Sequence, residues 1–490
     1  MHKVAAIQLE KIECRYDGKI VLSGENVTAG DGELVLVCGR TGSGKSTLLK
    51  YLFDNLGTKA GFVMQNPDSQ LVCDKVYEEL GLAPSGAGMD DALTGRRIAE
   101  TAGYFGISGL MDRDTDTLSG GEKQLVNIAA VMTVNPGVLL LDEPTAMLDP
   151  IMAERVIGNI LKLRRELGIT VVIAEHRPDM LWQEADSILL VDNGKIIQEK
   201  PDKMAEIMTG DSRLYELMPS YARMLPFDIA GQAVMSLAQA KKIAAGTIIK
   251  LPAVSKKTEE SRPFLEFRNV TFAYEKNGRK ILDDMNFKVG KGQIAALLGE
   301  NGSGKTTAAK VASGLLKPYS GAVYVDGQKL GGSCTCAGML FQDTTCHFLD
   351  DECTGRFAGK HPYDLSGGER QLAALDIVLS KSPKLLILDE PTKGLDRYEK
   401  EVLRERIIGL SRDGVTVLMI THDVDFAAET ADIMALLFEG VVSASGDTEK
   451  FVRESLFYTT SALRIWGAES GIYTEKQARE LTAGTKQAGT

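Results

Sequence analysis

The sequence has no apolar stretch long enough to cross a bilayer and no segment near its start that is typical of a secretion signal. The opening residues, MHKVAAIQLEKIECRYDGK, bring in charged side chains before an apolar core of signal-peptide length could form. A membrane-spanning helix needs roughly 20 mainly apolar residues, and no uninterrupted run here reaches ~18. We therefore expect a cytoplasmic protein whose membrane role, if it has one, comes through a partner.

Basic charge is scarce as well. Lys and Arg number 56 against 67 Asp and Glu, so the net charge is −11, and no strongly basic block stands out. Binding of nucleic acid usually requires a basic patch, so this balance disfavours it. The seven cysteines, an odd number in a large acidic chain, indicate reduced thiols rather than a disulfide framework.

The chain repeats itself. Its 490 residues are too many for one ordinary core, and self-comparison favours two domains because four motifs occur twice in the same order. The matching pairs are GRTGSGKST (39–47) and GENGSGKTT (299–307), LSGGEKQ (118–124) and LSGGERQ (365–371), VLLLDEPTAMLD (138–149) and LLILDEPTKGLD (385–396), and VVIAEH (171–176) and VLMITH (417–422).

The region between the repeats predicts the domain limits. The polar segment SKKTEESRP (255–263) suits a linker, and AGQAVMSLAQAKKIAAG (230–246) predicts a packing helix that closes the first half. The openings of the halves alternate as strands do, and each carries a tyrosine before its glycine loop, Tyr16 and Tyr274. The predicted organisation is a first domain over 1–225, a helical extension and linker over 226–262, a second domain over 263–455 and a carboxy-terminal tail over 456–490.

Each half has a glycine-rich turn with the pattern G-x-x-x-x-G-K-[ST] after an apolar strand. Small residues there let successive backbone N–H groups surround phosphate oxygens at a helix amino terminus. Lys45 and Lys305 would neutralise phosphate charge, and Ser46 and Thr306 would bind Mg²⁺. The candidate nucleotide-binding residues are Gly39, Arg40, Thr41, Gly42, Ser43, Gly44, Lys45, Ser46 and Thr47, and Gly299, Glu300, Asn301, Gly302, Ser303, Gly304, Lys305, Thr306 and Thr307.

A second apolar run in each half ends in two adjacent carboxylates. A buried parallel strand has this pattern when its carboxyl end reaches an active site. We predict that Asp142 and Asp389 hold the Mg²⁺ shell and that Glu143 and Glu390 polarise the attacking water.

Two of the five histidines, His176 and His422, follow equivalent apolar runs. A lone histidine there would more often be structural, but the matched pair favours a contact with the γ-phosphate. The LSGGE motifs place a serine and two glycines before an apolar helix, far along the chain from the glycine loop, which suggests that they serve a different nucleotide. Their candidate residues are Ser119, Gly120, Gly121 and Glu122, and Ser366, Gly367, Gly368 and Glu369.

Together these motifs resemble two ABC-type ATPase domains in tandem, over nearly the whole chain. The resemblance implies an α/β fold of two P-loop domains, each with a mainly parallel sheet, a small antiparallel β-subdomain and a helical subdomain. It also implies ATP and Mg²⁺ as cofactors, with Gln65 and Gln342 sensing Mg²⁺ and water. The resemblance further implies that each ATP lies between the glycine loop of one half and the LSGGE of the other. One site would join Tyr16, Lys45, Ser46, Gln65, Asp142, Glu143 and His176 to Ser366, Gly367 and Gly368. The other would join Tyr274, Lys305, Thr306, Gln342, Asp389, Glu390 and His422 to Ser119, Gly120 and Gly121.

Two segments resemble a particular branch. QNPDSQ (65–70) and EHRPD (175–179) are similar to the ATP-binding subunits of energy-coupling-factor (ECF), or cobalt-type, transporters. This implies an integral membrane scaffold and a small substrate-binding membrane subunit as partners, a peripheral location at the cytoplasmic face of the cell membrane, and a vitamin or transition metal ion as the solute. The alternatives are a soluble tandem ABC ATPase that acts on ribosomes or another assembly, and the ATPase of a different importer class.

The halves differ in length between their motifs. Lys45 and Gln65 are 20 residues apart, whereas Lys305 and Gln342 are 37 apart. Between the glutamine and the LSGGE motif, by contrast, the second half is the shorter one. We expect a reduced β-subdomain in the first half and a reduced helical subdomain in the second, with the first half providing the fuller docking groove for a membrane partner.

Four cysteines, Cys334, Cys336, Cys346 and Cys353, lie near Gln342 together with His347. A zinc site needs four ligands that converge tetrahedrally, and these gaps fit no strong spacing template. Unconnected reduced thiols are the favoured interpretation over a metal site.

Overall fold

The apolar runs that precede each glycine loop, acid pair and histidine fold as short strands in the computed structural model. All six of these strands are buried along their whole length. Strands covered on both faces have continuous apolar runs rather than alternating ones, as the sequence does here.

The structure describes residues 5–16, 19–146, 148–176, 178–225, 234–246, 262–275, 278–348, 353, 357–365 and 367–484. These residues divide into two compact units. The first contains the described residues up to Arg223 and those from 234 to Ser236, and the second contains the remainder. The domain limits expected from the sequence stay predictions.

From Ala5 to Met224 the chain forms one mixed eight-stranded sheet with helices. The strand order is β1-β2-β8-β7-β3-β6-β5-β4, and β4, β5, β6, β3 and β7 run parallel. The strands are β1 (Ala5–Tyr16), β2 (Lys19–Gly30), β3 (Leu34–Cys38), β4 (Ala60–Val63), β5 (Val138–Asp142), β6 (Thr170–Ala174), β7 (Ser187–Asp192) and β8 (Lys195–Glu199). The helices are α1 (Lys45–Leu56), α2 (Val76–Gly86), α3 (Asp91–Phe105), α4 (Gly120–Met132), α5 (Pro150–Leu167), α6 (Pro201–Thr209), α7 (Ser212–Tyr215) and α8 (Ser220–Met224).

The second unit has two sheets. An antiparallel sheet has the order β10-β9-β12-β13, and a six-stranded, mainly parallel sheet has the order β14-β15-β16-β11-β17-β18. The strands are β9 (Pro263–Phe272), β10 (Leu282–Gly290), β11 (Ile294–Leu298), β12 (Ser320–Val325), β13 (Gln328–Lys329), β14 (Ala337–Leu340), β15 (Leu385–Asp389), β16 (Thr416–Ile420), β17 (Ile433–Phe438) and β18 (Val441–Asp447). The helices are α9 (Leu237–Gly246), α10 (Lys305–Ala312), α11 (Gly367–Leu379), α12 (Arg397–Arg412), α13 (Val424–Thr430), α14 (Thr448–Glu454), α15 (Ser461–Trp466) and α16 (Glu475–Gly484).

The predicted fold class is confirmed, including its asymmetry. In the first unit the antiparallel pair β1 and β2 extends the main sheet, whereas the second unit has a separate antiparallel sheet. Helices α2 and α3 follow Gln65, whereas the described residues between Gln342 and Gly367 contain short 3-10 turns, such as Thr344–His347 and Pro362–Asp364, and no α-helix. The parallel strands bring the glycine loop, acid pair and histidine of each unit to one edge of its sheet.

Helix α9 differs from its prediction. It was expected to close the first half, but it belongs to the second unit and packs against α15. Its buried residues Ala240 and Ala244 are four positions apart, so they form one small-residue face that allows close approach. No helix within the described ranges is both long and apolar enough to cross a membrane.

Candidate functional site

The glycine loops fold as their pattern predicts. Helix α1 begins at Lys45 and α10 begins at Lys305, each directly after a glycine. Gly44 and Gly304 have φ values of 106° and 103°, a backbone region that glycine enters without steric cost. Each loop therefore turns sharply onto a helix amino terminus, where free N–H groups favour an anion.

The two loop lysines are buried and hydrogen-bonded to their own loops. Lys45 Nζ donates to the carbonyl oxygens of Gly39 at 3.0 Å and Arg40 at 3.1 Å. Lys305 Nζ donates to the carbonyl oxygens of Gly299 at 2.9 Å and Glu300 at 2.7 Å. Both ammonium groups are thus held inside the loop that the sequence assigns to phosphate.

In the first unit, Glu143 is the meeting point of three predicted site residues. Gln65 Nε2 donates to its Oε2 at 2.7 Å, His176 Nε2 lies 2.6 Å from its Oε1, and Lys45 Nζ lies 3.6 Å from the same oxygen. Burial raises the pKa of Glu143, but the hydrogen bonds and charges of His176 and Lys45 outweigh it, so the pKa is lowered. The structure therefore holds an ionised carboxylate at this point.

The second unit has an equivalent carboxylate, Glu390, beside His422. His422 Nδ1 lies 2.8 Å from Glu390 Oε2, and burial, which raises the pKa of Glu390, is again outweighed by His422 and Lys305. Gln342 is exposed and, among the described residues, makes no hydrogen bond to Glu390. The structure brings together the histidine and the glutamate in both units, but the glutamine only in the first.

Both glutamates have an uncommon backbone conformation. The φ values are 45° at Glu143 and 50° at Glu390, the left-handed region, which costs a non-glycine residue of order 1–3 kcal/mol. Each backbone N–H donates to the end of the neighbouring strand, at Ala174 and Ile420, at 2.9 Å. A backbone hydrogen bond to the strand that precedes the histidine thus holds each glutamate in its strained conformation.

The aspartates beside them have the properties of cation ligands. Burial raises the pKa of Asp142, and it raises the pKa of Asp389 to about 6. In the described part of the chain, Oδ1 of Asp142 and both carboxylate oxygens of Asp389 lack a hydrogen-bond partner. Buried carboxylates without partners are costly, and oxygen ligands are what Mg²⁺ prefers. The residues fit a bound Mg²⁺.

The LSGGE motif of the first unit forms a capped helix start. Glu122 N–H donates to Ser119 Oγ at 3.3 Å, and Ser119 N–H donates to Glu122 Oε2 at 2.8 Å, which is a capping box. Gly120 and Gly121 are the first residues of α4. In the second unit α11 begins at Gly367, and Ser366 lies outside the described residues.

Comparison with known proteins decides the family. The ABC transporter family model matches residues 22–146 in the first half and residues 282–352 and 342–393 in the second. A Bacillus cereus protein named as an ABC transporter ATP-binding protein is 33% identical to this chain, with coverage of 95% of this chain and 96% of the relative. The chain belongs to the ABC transporter ATP-binding proteins.

Other comparisons agree with this family. A Streptomyces avermitilis protein, also named as an ABC transporter ATP-binding protein, is 31% identical over 97% of this chain and 100% of its own. The structure of an archaeal ribosome recycling factor in complex with a ribosomal stalk protein has a TM-score of 0.57 at 19% identity, with 86% of each chain covered, and shows the fold alone. The predicted tandem ABC ATPase that binds and hydrolyses ATP is therefore confirmed.

Sequence reasoning missed two residues of this ABC ATPase. Glu175 is buried and accepts hydrogen bonds from the Thr145 backbone N–H at 3.0 Å and from its hydroxyl at 2.7 Å. This ties the segment after Glu143 to the strand end that carries His176. The signal that could have found it is a mismatch between VVIAEH and VLMITH, where a charged residue, Glu175, stands in place of Thr421.

Of the two predicted site tyrosines, Tyr274 has a described side chain and Tyr16 does not. Tyr274 is exposed, and its hydroxyl lies 3.3 Å from Oγ1 of Thr307 in the second glycine loop. Its ring also meets Phe272 edge to face. Tyr16 is the last residue of β1, and its side chain lies outside the described part of the structure.

The cysteine group around Gln342 does not converge. His347 Nε2 accepts the Phe341 N–H at 3.1 Å, Cys346 donates to the Asp343 carbonyl, and Cys353 is buried in an apolar cluster. Across the described residues, no group of three or more His, Cys, Asp or Glu side chains could hold a metal ion. Within the described part of this region, Cys334 and Cys336 are the two cysteines that lie together.

Proposed function

We propose that this ABC ATPase powers inward movement of a small solute, a vitamin or a transition metal ion, through an ECF-type membrane partner. It would lie at the cytoplasmic face of the membrane, bound to an integral scaffold subunit and a small substrate-binding subunit. The observation that carries the proposal is the hydrogen bond from Gln65 to Glu143, because Gln65 opens the segment QNPDSQ that leads to helix α2. The catalytic carboxylate is thereby linked to a surface segment.

The segment after Gln65 is hydrogen-bonded to helix α2, and it exposes apolar side chains. Glu79 of α2 is buried and accepts the backbone N–H groups of Val72 and Cys73, each at 2.9 Å, so the segment after Gln65 is bonded to the helix. Val72 is 70% exposed, and Tyr77 and Leu82 on α2 are also exposed. Neighbouring exposed apolar side chains mark interaction surfaces, and this supports docking of a membrane partner here.

The hydrolytic part of the proposal uses two composite sites. Each MgATP would bind between the glycine loop of one half and the LSGGE of the other. Glu143 and Glu390 would polarise the attacking water, while His176 and His422 would contact the γ-phosphate. Bound Mg²⁺ would supply neutralisation of phosphate charge. Its proposed ligands are Ser46, Gln65, Asp142, Thr306, Gln342 and Asp389.

Copurification from cell membranes tests the proposal. We expect the tagged chain to bring down an integral scaffold and a small membrane protein. Changing Leu82 to Arg places a charge on the proposed docking surface and should reduce recovery of both partners. Leu315→Arg in the second unit is the matched control, because Leu82 and Leu315 are 51% and 52% exposed.

Three results would contradict the proposal. Recovery of ribosomes in place of membrane proteins would favour the alternative of a soluble tandem ATPase. Recovery of a large single membrane importer, without a small substrate-binding subunit, would favour a different importer class. An equal loss of partners with Leu82→Arg and Leu315→Arg would mean that the α2 surface is not the docking site.

A further inference from the structure

Two cysteines form a close pair before the strand that leads to Gln342. Cys334 Sγ and Cys336 Sγ lie 2.8 Å apart, on either side of one residue, just before β14. A disulfide bond is about 2.05 Å long, so the sulfur atoms need to move together by less than ~1 Å to form one. All seven cysteines are free thiols here, which makes this pair a reduced dithiol.

Backbone hydrogen bonds hold the turn on both sides of the pair. Cys334 N–H donates to the Ser313 carbonyl oxygen at 3.0 Å, and Ala337 N–H donates to the Cys334 carbonyl oxygen at 3.1 Å. The Cys336 carbonyl oxygen accepts from Lys384 N–H at 2.9 Å and Leu385 N–H at 3.1 Å. The two side chains are therefore positioned by a fixed backbone, and little further ordering is needed to join them.

The pair is also within reach of small reagents. Cys334 and Cys336 are each half-buried, and the residue between them, Thr335, is exposed. By contrast, Cys14, Cys38 and Cys353 are buried. Cys346 is the more exposed thiol, but its Sγ donates to a backbone carbonyl oxygen instead of meeting a second sulfur.

We infer that Cys334 and Cys336 are an oxidative modification site, at which a peroxide converts the dithiol into an intramolecular disulfide. One sulfur attacks a peroxide oxygen, the O–O bond breaks, and a sulfenic acid and one water form. The second sulfur then attacks the sulfenic sulfur, and a second water leaves. Two thiols and one hydrogen peroxide give one disulfide and two waters, with both sulfurs oxidised and the peroxide reduced.

The environment of Cys336 makes its thiol less acidic. Burial, together with the hydrogen bond and charge of Cys334, raises the pKa of Cys336 to about 11. Near neutral pH Cys336 therefore keeps its proton, and either sulfur can be the donor in the contact between the two thiols. Because the thiolate is the nucleophile, the raised pKa makes Cys336 a slow first attacker.

Mass spectrometry of the full chain tests this inference. The reduced protein is treated with hydrogen peroxide, remaining thiols are alkylated, and a protease that cleaves after large apolar residues separates the pair from Cys346 at Phe341. We expect the fragment with Cys334 and Cys336 to lose two hydrogen atoms, to carry no alkyl group, and to regain both thiols with a reducing agent. The variant Cys346→Ser should behave identically.

The serine variants separate the possible outcomes. With Cys334→Ser, Cys336 should be alkylated after the same treatment, and Cys336→Ser provides the second variant should the first fail to fold. Alkylation of both thiols under conditions that oxidise Cys346 would overturn the inference. A disulfide from either cysteine to Cys346 or Cys353, or an oxidation that reducing agents do not reverse, would also overturn it.

Discussion

Glu143 Oε1 lies 2.6 Å from Nε2 of His176, while its other carboxylate oxygen accepts a hydrogen bond from Gln65. Side chains from other parts of the chain thus orient both oxygens. The left-handed backbone at Glu143 sets the direction in which its side chain leaves the backbone. The lowered pKa keeps it ionised. A fixed, ionised carboxylate is what polarisation of an attacking water requires.

Single replacement of the two glutamates tests whether both sites are hydrolytic. Glu143→Gln and Glu390→Gln keep the side-chain shape but remove the charge, and a general base contributes about 10²- to 10⁴-fold to a rate. If the sites turn over independently, each variant should lose roughly half of the steady-state ATPase rate, and the double variant nearly all of it. Phosphate release at saturating MgATP measures this. A single variant with the full rate would identify its site as non-catalytic.

The two glutamines should differ although their sequence positions match. Gln65 donates to Glu143, whereas Gln342 is exposed and makes no such bond within the described chain. We therefore expect Gln65→Ala to lower the ATPase rate more than Gln342→Ala does, with nucleotide affinity as the control for binding. Equal losses from the two variants would show that the hydrogen bond to Glu143 has no consequence for turnover.

A third prediction concerns the Thr145–Glu175 contact. Thr145→Val removes the hydroxyl donor and leaves a buried carboxylate with fewer hydrogen bonds, which costs about 1–3 kcal/mol of unfolding free energy. Thr392→Val is the matched control in the second unit, where Thr421 stands in place of the glutamate. Urea unfolding of both variants measures the difference. The same loss in both would mean that Glu175 is not the partner that matters.

Contacts between distant segments are the part of the two sites that could not be predicted from the sequence. The strands, glycine loops and acid pairs could be predicted, because apolar runs and local turn chemistry determine them within a few residues. The Thr145 to Glu175 bond and the separate environments of Gln65 and Gln342 could not, since they depend on how distant segments pack. The ring nitrogen that each histidine turns toward its glutamate, Nε2 in His176 and Nδ1 in His422, likewise follows from packing.

Glu429 gives the protein a pH dependence away from the proposed nucleotide sites. Burial raises its pKa from 4.5 to about 7. Below pH 4.5 the carboxyl is protonated in both the folded and the unfolded chain. Above about pH 7 it is ionised in both, and the folded state must then hold a buried, disfavoured charge. Stability should therefore fall as pH rises through this window. The groups around Glu429 are Arg397, Arg404, Asp425 and Glu475.

The variant Glu429→Gln isolates this effect. It should be more stable than the natural chain at about pH 8, by on the order of 2 kcal/mol, and the advantage should shrink toward pH 5. Thermal unfolding of both proteins across this range measures it, and the difference between them removes the contribution of all other groups. A constant difference at every pH would show that Glu429 ionises normally in the folded chain.

The unequal helical subdomains lead to a prediction about coupling. In the first unit, α2 and α3 follow Gln65 and present exposed apolar side chains, whereas the described residues between Gln342 and Gly367 form only short turns. A photoactivatable crosslinker on Leu82→Cys should therefore capture the membrane scaffold much more efficiently than one on Lys360→Cys, whose side chain is also exposed. Both variants need a background in which the exposed Cys346 and the half-buried Cys73, Cys334 and Cys336 are replaced by serine. Equal capture from both positions would mean that the two halves dock alike, and that a turn-rich segment transmits the ATP cycle as well as a helical one.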